Sequence, residues 1–170
     1  GNGRLGRLLI TLMLINDGVL HSCLFYPSFQ FKKNRSEYYR QLTSVRERGT
    51  FEEWIEFFCA SLLESAKDSV GSLKSLVDLH NRSTSVITEK LGKAVANGQR
   101  LLSLLEEHPI LDTAFIAARL DIGRSTASSL VKSFEELGIL RPLDESRQRY
   151  RQYAYEEYLS ILREDADPIR

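Results

Sequence analysis

From Leu5 to Leu20 apolar residues fall on nearly every side of a 3.6-residue period, which predicts a helix buried all round and ended near Asp17-Gly18. Its continuous apolar run, Leu8–Ile15, is too short to span a bilayer. Tyr26-Pro27-Ser28 reads as a turn with Ser28 as N-cap, leading into a helix to about Val45 with charged and aromatic faces. Gly49 stops that helix, and Thr50 with Glu53 three residues on predicts a capping box. Trp54, Ile55, Phe58, Leu62 and Leu63 give the stripe of a third helix. The helical pattern then persists from Ala66 to Leu105, with Leu73, Leu76, Val77, Leu79 and His80 on one side. Gly92 and Gly98 make 91–98 a hinge between two helices.

The texture changes at His108-Pro109. A short helix from about Asp112 to Leu120 is followed by Asp121-Ile122-Gly123 as a turn, then by a helix from Ser125 to Leu137 that stops at Gly138. Ile139-Leu140-Arg141 reads as a strand, Asp144–Arg147 as a polar turn, and Arg149–Tyr155 as the returning strand, with a short closing helix over Glu156–Leu162. Helix, turn, helix and hairpin in that order predict a winged helix. The expected architecture is therefore mainly α: a helical portion over residues 1–107 and a small winged-helix domain over 108–170. No internal repeat or Pro-rich linker interrupts it.

Composition adds limits. A hydrophobic content of 42% and a charged content of 27% suit a globular chain and exclude collagen-like and disordered classes. Lys and Arg number 23, as do Asp and Glu, so bulk charge argues for neither nucleic acid nor membrane. The distribution is uneven: residues 1–50 hold eight basic residues against three acidic, so an anionic ligand is sought there first. Two cysteines, Cys23 and Cys59, make no disulfide framework and read as small buried apolar groups. The three histidines are too scattered for a metal cluster; His80 and His108 read as surface or boundary residues. A reducing cytoplasm fits best. Arg4 and Arg7 before the apolar run and Leu20-His21-Ser22-Cys23 after it outline an export signal, but His21 and Asn16-Asp17-Gly18 spoil it. The start at Gly1 without a Met reads as a fragment or a processed chain.

The opening residues carry the first candidate site. Glycines at a helix start let backbone N–H groups approach an anion, and the helix dipole favours negative charge there. Arg4 and Arg7, three residues apart, share a helix face and can fork onto consecutive phosphates, and Asn2 adds an amide donor. The same residues also suit a glycine-rich start to a core helix with its arginines in solvent. Lys32, Lys33, Arg35 and Arg40 read more simply as a solvated helix face.

Gly1-Asn2-Gly3-Arg4-Leu5-Gly6-Arg7 resembles the second half of the Fic-family motif, His-Pro-Phe-x-Asp-Gly-Asn-Gly-Arg-x-x-Arg. Tyr26-Pro27-Ser28-Phe29, the stretch from Phe31 to Tyr39, and Trp54-Ile55-Glu56-Phe57-Phe58 resemble the segments downstream of the motif in that family, where a winged helix after the core is also familiar. The resemblance implies a protein adenylyltransferase, which moves AMP from ATP, with Mg2+, to a hydroxyl side chain of a target protein. It implies a phosphate site at Gly1, Asn2, Gly3, Arg4 and Arg7, with Tyr39 lining the adenine; a core aromatic is an equal reading of Tyr39. Arg46 stands where some relatives place an adenine-contacting Asn. The family's catalytic His and metal-binding acid would precede Gly1. The chain as it stands is then expected to hold no catalytic residue and no metal site, to bind ATP weakly, and to be inactive, though part of an enzyme.

The winged helix supports a reading from another class, a DNA-binding transcriptional regulator whose helical portion is a sensor or dimerisation body. Ser125, Thr126, Ser128, Ser129 and Lys132 would face a groove, and Arg147, Arg149 and Arg151 on the hairpin would reach phosphates or the minor groove. Nine basic against eleven acidic residues over 108–170, with Glu135 and Glu136 on the same helix, weigh against duplex binding and towards protein docking or an intramolecular role.

Overall fold

The computed structural model describes residues 3–20, 27–144 and 151–164. The chain is mainly helical with one small antiparallel sheet, as expected. The described residues form two compact units, one up to Leu73 and one from Lys74 to Glu164, the division falling within a single long helix.

In the first unit, α1 (Gly3–Asn16) ends two residues before Gly18, whose φ of 71° is open to glycine at little cost. Its Arg7, Ile10, Thr11 and Leu14, at i, i+3, i+4 and i+7, are buried or half-buried, while Leu5, Leu8, Leu9, Leu12 and Met13 are exposed. The expectation of a helix buried all round is therefore corrected. An all-round apolar surface needs neighbours on every side, and α1 packs by one face. The second expected helix is two: α2 (Pro27–Lys33) and α3 (Arg35–Arg48), separated at Asn34. Pro27 occupies the first helical position, where a missing N–H costs nothing, so Ser28 lies inside α2 rather than capping it. Gly49 ends α3 in the left-handed conformation.

Helix α4 (Phe51–Lys90) comes next. The capping box expected at its start is not seen; the Thr50 hydroxyl donates instead to Ser44 Oγ at 2.8 Å. Phe31, 3% exposed, is the centre of this unit's packing, with the Tyr38, Phe57 and Phe58 rings 5.2, 6.4 and 5.8 Å away. Trp54 joins from the next turn, edge-on to Tyr38. Cys59, expected to be buried, is exposed.

In the second unit, a 3-10 turn over Gly92–Ala94 separates α4 from α5 (Val95–Glu107), narrowing the expected hinge to Leu91–Ala94. Gly98 lies within α5 against α4: a Cβ there would come within 2.6 Å of Leu91 Cδ1 and 2.8 Å of Ile87 Cγ2. β1 (Ile110–Asp112) leads into α6 (Thr113–Leu120), whose N-cap Asp112 accepts from the Phe115 N–H at 2.7 Å. α7 (Arg124–Glu136), β2 (Arg141–Pro142), β3 (Gln152–Ala154) and α8 (Glu156–Glu164) complete the unit. The strand order is β1-β3-β2, with Leu111 opposite Tyr153 and Pro142 opposite the same residue. Ile87, Leu101, Leu105, Ile116, Ala127, Phe134, Leu140 and Tyr155 are almost wholly buried and make one continuous core. The C-terminal half of α4 belongs to it through Leu79 and Ile87, so the change of texture at His108 lies inside this unit, at the end of α5.

Candidate nucleic-acid interface

Three features position α7. Asp121 takes the left-handed conformation at φ 53° and turns the chain after α6, which Asp tolerates better than most residues. Arg100 of α5 donates to the Leu120 carbonyl at 2.7 Å, closing the open C-terminal end of α6. Ala127, Leu130, Val131 and Phe134 then seat α7 on the core by one face. The opposite face is left to solvent: Arg124, Ser125, Thr126, Ser128, Ser129 and Lys132 are all exposed. Short hydroxyl side chains leave the helix backbone close to whatever lies along it, with a guanidinium and an ammonium at either end.

The start of α7 is open as well. Gly123 precedes it in extended conformation, with no side chain capping the first turn. The first N–H groups of the helix therefore face outward, where a phosphate is a natural partner. Arg119 on α6 and Arg141 on β2 are exposed too. The Arg119 guanidinium lies 5.8 Å from the Phe115 ring centroid and 4.0 Å from Glu107. Lys132 has Glu136 3.8 Å away, an exposed pair that water and salt loosen readily.

The sequence-derived face of Ser125, Thr126, Ser128, Ser129 and Lys132 is thus brought together on one side of α7. Arg124, Arg119 and Arg141 escape the sequence reading. A helix start at Ser125 leaves Arg124 out, although a Gly before a basic residue and two hydroxyls is the available signal. Of the hairpin arginines, Arg151 precedes β3 and is half-buried, while Arg147 and Arg149 lie outside the described residues.

At the other candidate site, Gly3 and Arg7 lie in the first two turns of α1, and Gly1, Asn2 and the Arg4 side chain lie outside the described residues. Arg7 and Tyr39 share a concavity of about 590 Å3 with Ser28, Phe31, Lys32, Arg35 and Tyr38. The Arg35 guanidinium lies 5.7 Å from the Tyr39 ring centroid, and Tyr39 is 52% exposed. Lys32 and Arg35, expected as a solvated face, are exposed and also border this concavity. Among the described residues no group of three or more His, Cys, Asp or Glu side chains could hold a metal ion, and no helix is long and apolar enough to cross a membrane.

The fold and the α7 face define a winged helix-turn-helix protein. A family model for the IclR helix-turn-helix domain matches residues 88–144, about a third of the chain, from the last turn of α4 to just beyond β2. No Fic domain is detected. The Fic assignment and the AMP transfer inferred from it are accordingly corrected. The resemblance rested on short local stretches at helix starts and on aromatic spacing, which a helical body also needs for its own packing. The matched segment instead spans a whole supersecondary unit.

Proposed function

We propose that this chain is a DNA-binding transcriptional regulator that lays α7 in the major groove. The observation that carries the reading is the exposed face of α7, polar along its length and open at its N-terminus, on a helix-turn-helix frame similar to the IclR type. Ser125, Thr126, Ser128 and Ser129 would meet base edges and sugar-phosphate, Arg124 a guanine or phosphate, and Lys132 a phosphate. Arg119, Arg141, Arg147, Arg149 and Arg151 would add backbone contacts from α6 and the wing. The near-neutral balance of the whole domain carries less weight than this local surface, since Asp112 caps α6 and Glu135 is half-buried, although Glu136 stands exposed beside Lys132 and offsets part of its charge. It does limit affinity. With about four phosphate contacts per winged helix, log K should fall against log salt with a slope near −3 to −4. The DNA-bearing, reducing compartment of the cell suits such a role.

The test is fluorescence anisotropy of the full chain against a labelled pool of randomised duplexes over a salt series, with selection of the bound fraction. Binding that weakens with salt at that slope, and an enriched sequence, are expected. Arg124→Ala together with Lys132→Ala should flatten the slope by about two. No binding to any duplex at the lowest salt would refute the reading.

A further inference from the structure

The connection from α6 to α7 is short, residues 121–123, and whatever holds it fixes the direction in which α7 leaves. On the α6 side the Asp121 and Ile122 N–H groups both donate to the Ala117 carbonyl, and Ile122 packs half-buried against the core. On the α7 side the Ala127 N–H donates to the Gly123 carbonyl at 3.0 Å, and no side chain caps the first turn. These bonds are local to the helix pair. The Leu120 carbonyl, the last of α6, is held from outside it. Arg100 Nη2 donates to that carbonyl at 2.7 Å, while Arg100 Nη1 donates to Asn97 Oδ1, on its own helix, at 3.3 Å. One rigid guanidinium plane therefore ties α5 to the point where the chain turns towards α7.

Given the DNA reading of α7, on which this rests, we propose that Arg100 is a positioning residue for sequence readout. It sets the angle of α7 in the groove, and so the selectivity, without adding to the phosphate contacts. The composition of the face makes that angle matter. Ser125, Thr126, Ser128 and Ser129 carry their hydroxyls directly on Cβ, so a change of rotamer cannot make up for a displaced helix. Ser129 lies about 7.5 Å along the axis from Arg124, and a tilt of about 10° about the helix start moves it by about 1.3 Å. A hydrogen bond to a base edge tolerates only a few tenths of an ångström. Lys132 and the arginines have long stems that follow a phosphate through the same tilt. Loosening the turn thus removes base readout first and leaves backbone attraction in place.

The test compares the duplex enriched by selection with the randomised pool, using anisotropy of the full chain over a salt series. Arg100→Ala is expected to weaken the enriched duplex by about tenfold, comparable to one mismatched base pair. Affinity for the pool, and the slope of log K on log salt, should stay as in the parent. Arg100→Lys keeps one donor for the Leu120 carbonyl and should recover part of the lost ratio. Asp112→Ala removes the cap at the other end of α6, so it should lower the thermal midpoint and keep the ratio. An equal loss on both substrates, with a slope shallower by about one, would make Arg100 a phosphate contact and overturn the proposal. An unchanged ratio in Arg100→Ala overturns it, as does a ratio that falls just as far in Asp112→Ala. A parent chain that binds duplexes with no enriched sequence also overturns it, since there is then no readout to position. Those results leave DNA binding standing; a parent chain that binds no duplex at all refutes both.

Discussion

Tyr155 and Ser83 offer the sharpest test of the second unit's packing. Tyr155 is 1% exposed, and its hydroxyl lies 2.8 Å from Ser83 Oγ in a buried pair joining α4 to the end of β3. The two partners differ in what each can do alone. In Ser83→Ala the phenol is stranded in an apolar setting with its hydroxyl unpaired, at a cost of about 1–3 kcal/mol. In Tyr155→Phe the serine remains on a helix, where its hydroxyl can turn to the carbonyl four residues back. Ser61, Ser69 and Ser85 already bond in that way in α4. That variant should lose about 0.5–1.5 kcal/mol. The double variant, with no stranded group, should cost no more than Ser83→Ala alone, which gives a coupling of about 1 kcal/mol. Urea unfolding followed by circular dichroism measures all three, with the m-value unchanged if only native contacts are lost. A Tyr155→Phe loss equal to or larger than that of Ser83→Ala, or strict additivity, would refute the reasoning.

Other consequences are as direct. Burial pushes the Tyr155 phenol up to about 12 from an ordinary value of 10, the bond to Ser83 opposing this in part. The folded chain thus keeps a proton that the unfolded chain releases, so this contribution is intact below pH 10 and is lost as pH rises towards 12. Denaturation midpoints in that window should fall more steeply for the parent than for Tyr155→Phe; equal slopes would contradict the burial. Gly98→Ala gains helix propensity of about 1 kcal/mol, but its methyl meets Leu91 and Ile87 well inside contact distance. A net loss of about 1–2 kcal/mol in thermal unfolding is expected, and a stabilised variant would show that α4 and α5 can part freely. Asp112→Ala removes the α6 cap and should cost about 1 kcal/mol by the same measurement.

The helix-turn-helix was legible because its signals are local. The spacing of Ala127, Leu130, Val131 and Phe134 marks one face, and Gly138, at φ 74°, marks the stop. β1 was not legible: Ile110-Leu111-Asp112 is a strand only because Leu111 pairs with Tyr153, far along the chain, and Asp112 doubles as a helix cap. The partner that the Thr50 hydroxyl takes, Ser44 on α3, was equally hidden from periodicity. Exposure along α1 and at Cys59 could not be read from periodicity, which says which residues share a face and not whether anything covers it. The α7 face was legible in its hydroxyls and in Lys132, and missed in Arg124, which a helix start at Ser125 leaves out.

The inner face of α4 changes character along its length. Towards the N-terminal side it presents Ser61 and Ser65, buried; further on it presents Leu79 and Ile87, among the least exposed side chains of the protein. The Ser61 hydroxyl, which donates back to the Phe57 carbonyl, releases little water when a neighbour closes over it, whereas leucine and isoleucine release a great deal. On cooling, the grip of Leu79 and Ile87 on the second unit's core should slacken, because the adhesion of oily surface fades with falling temperature.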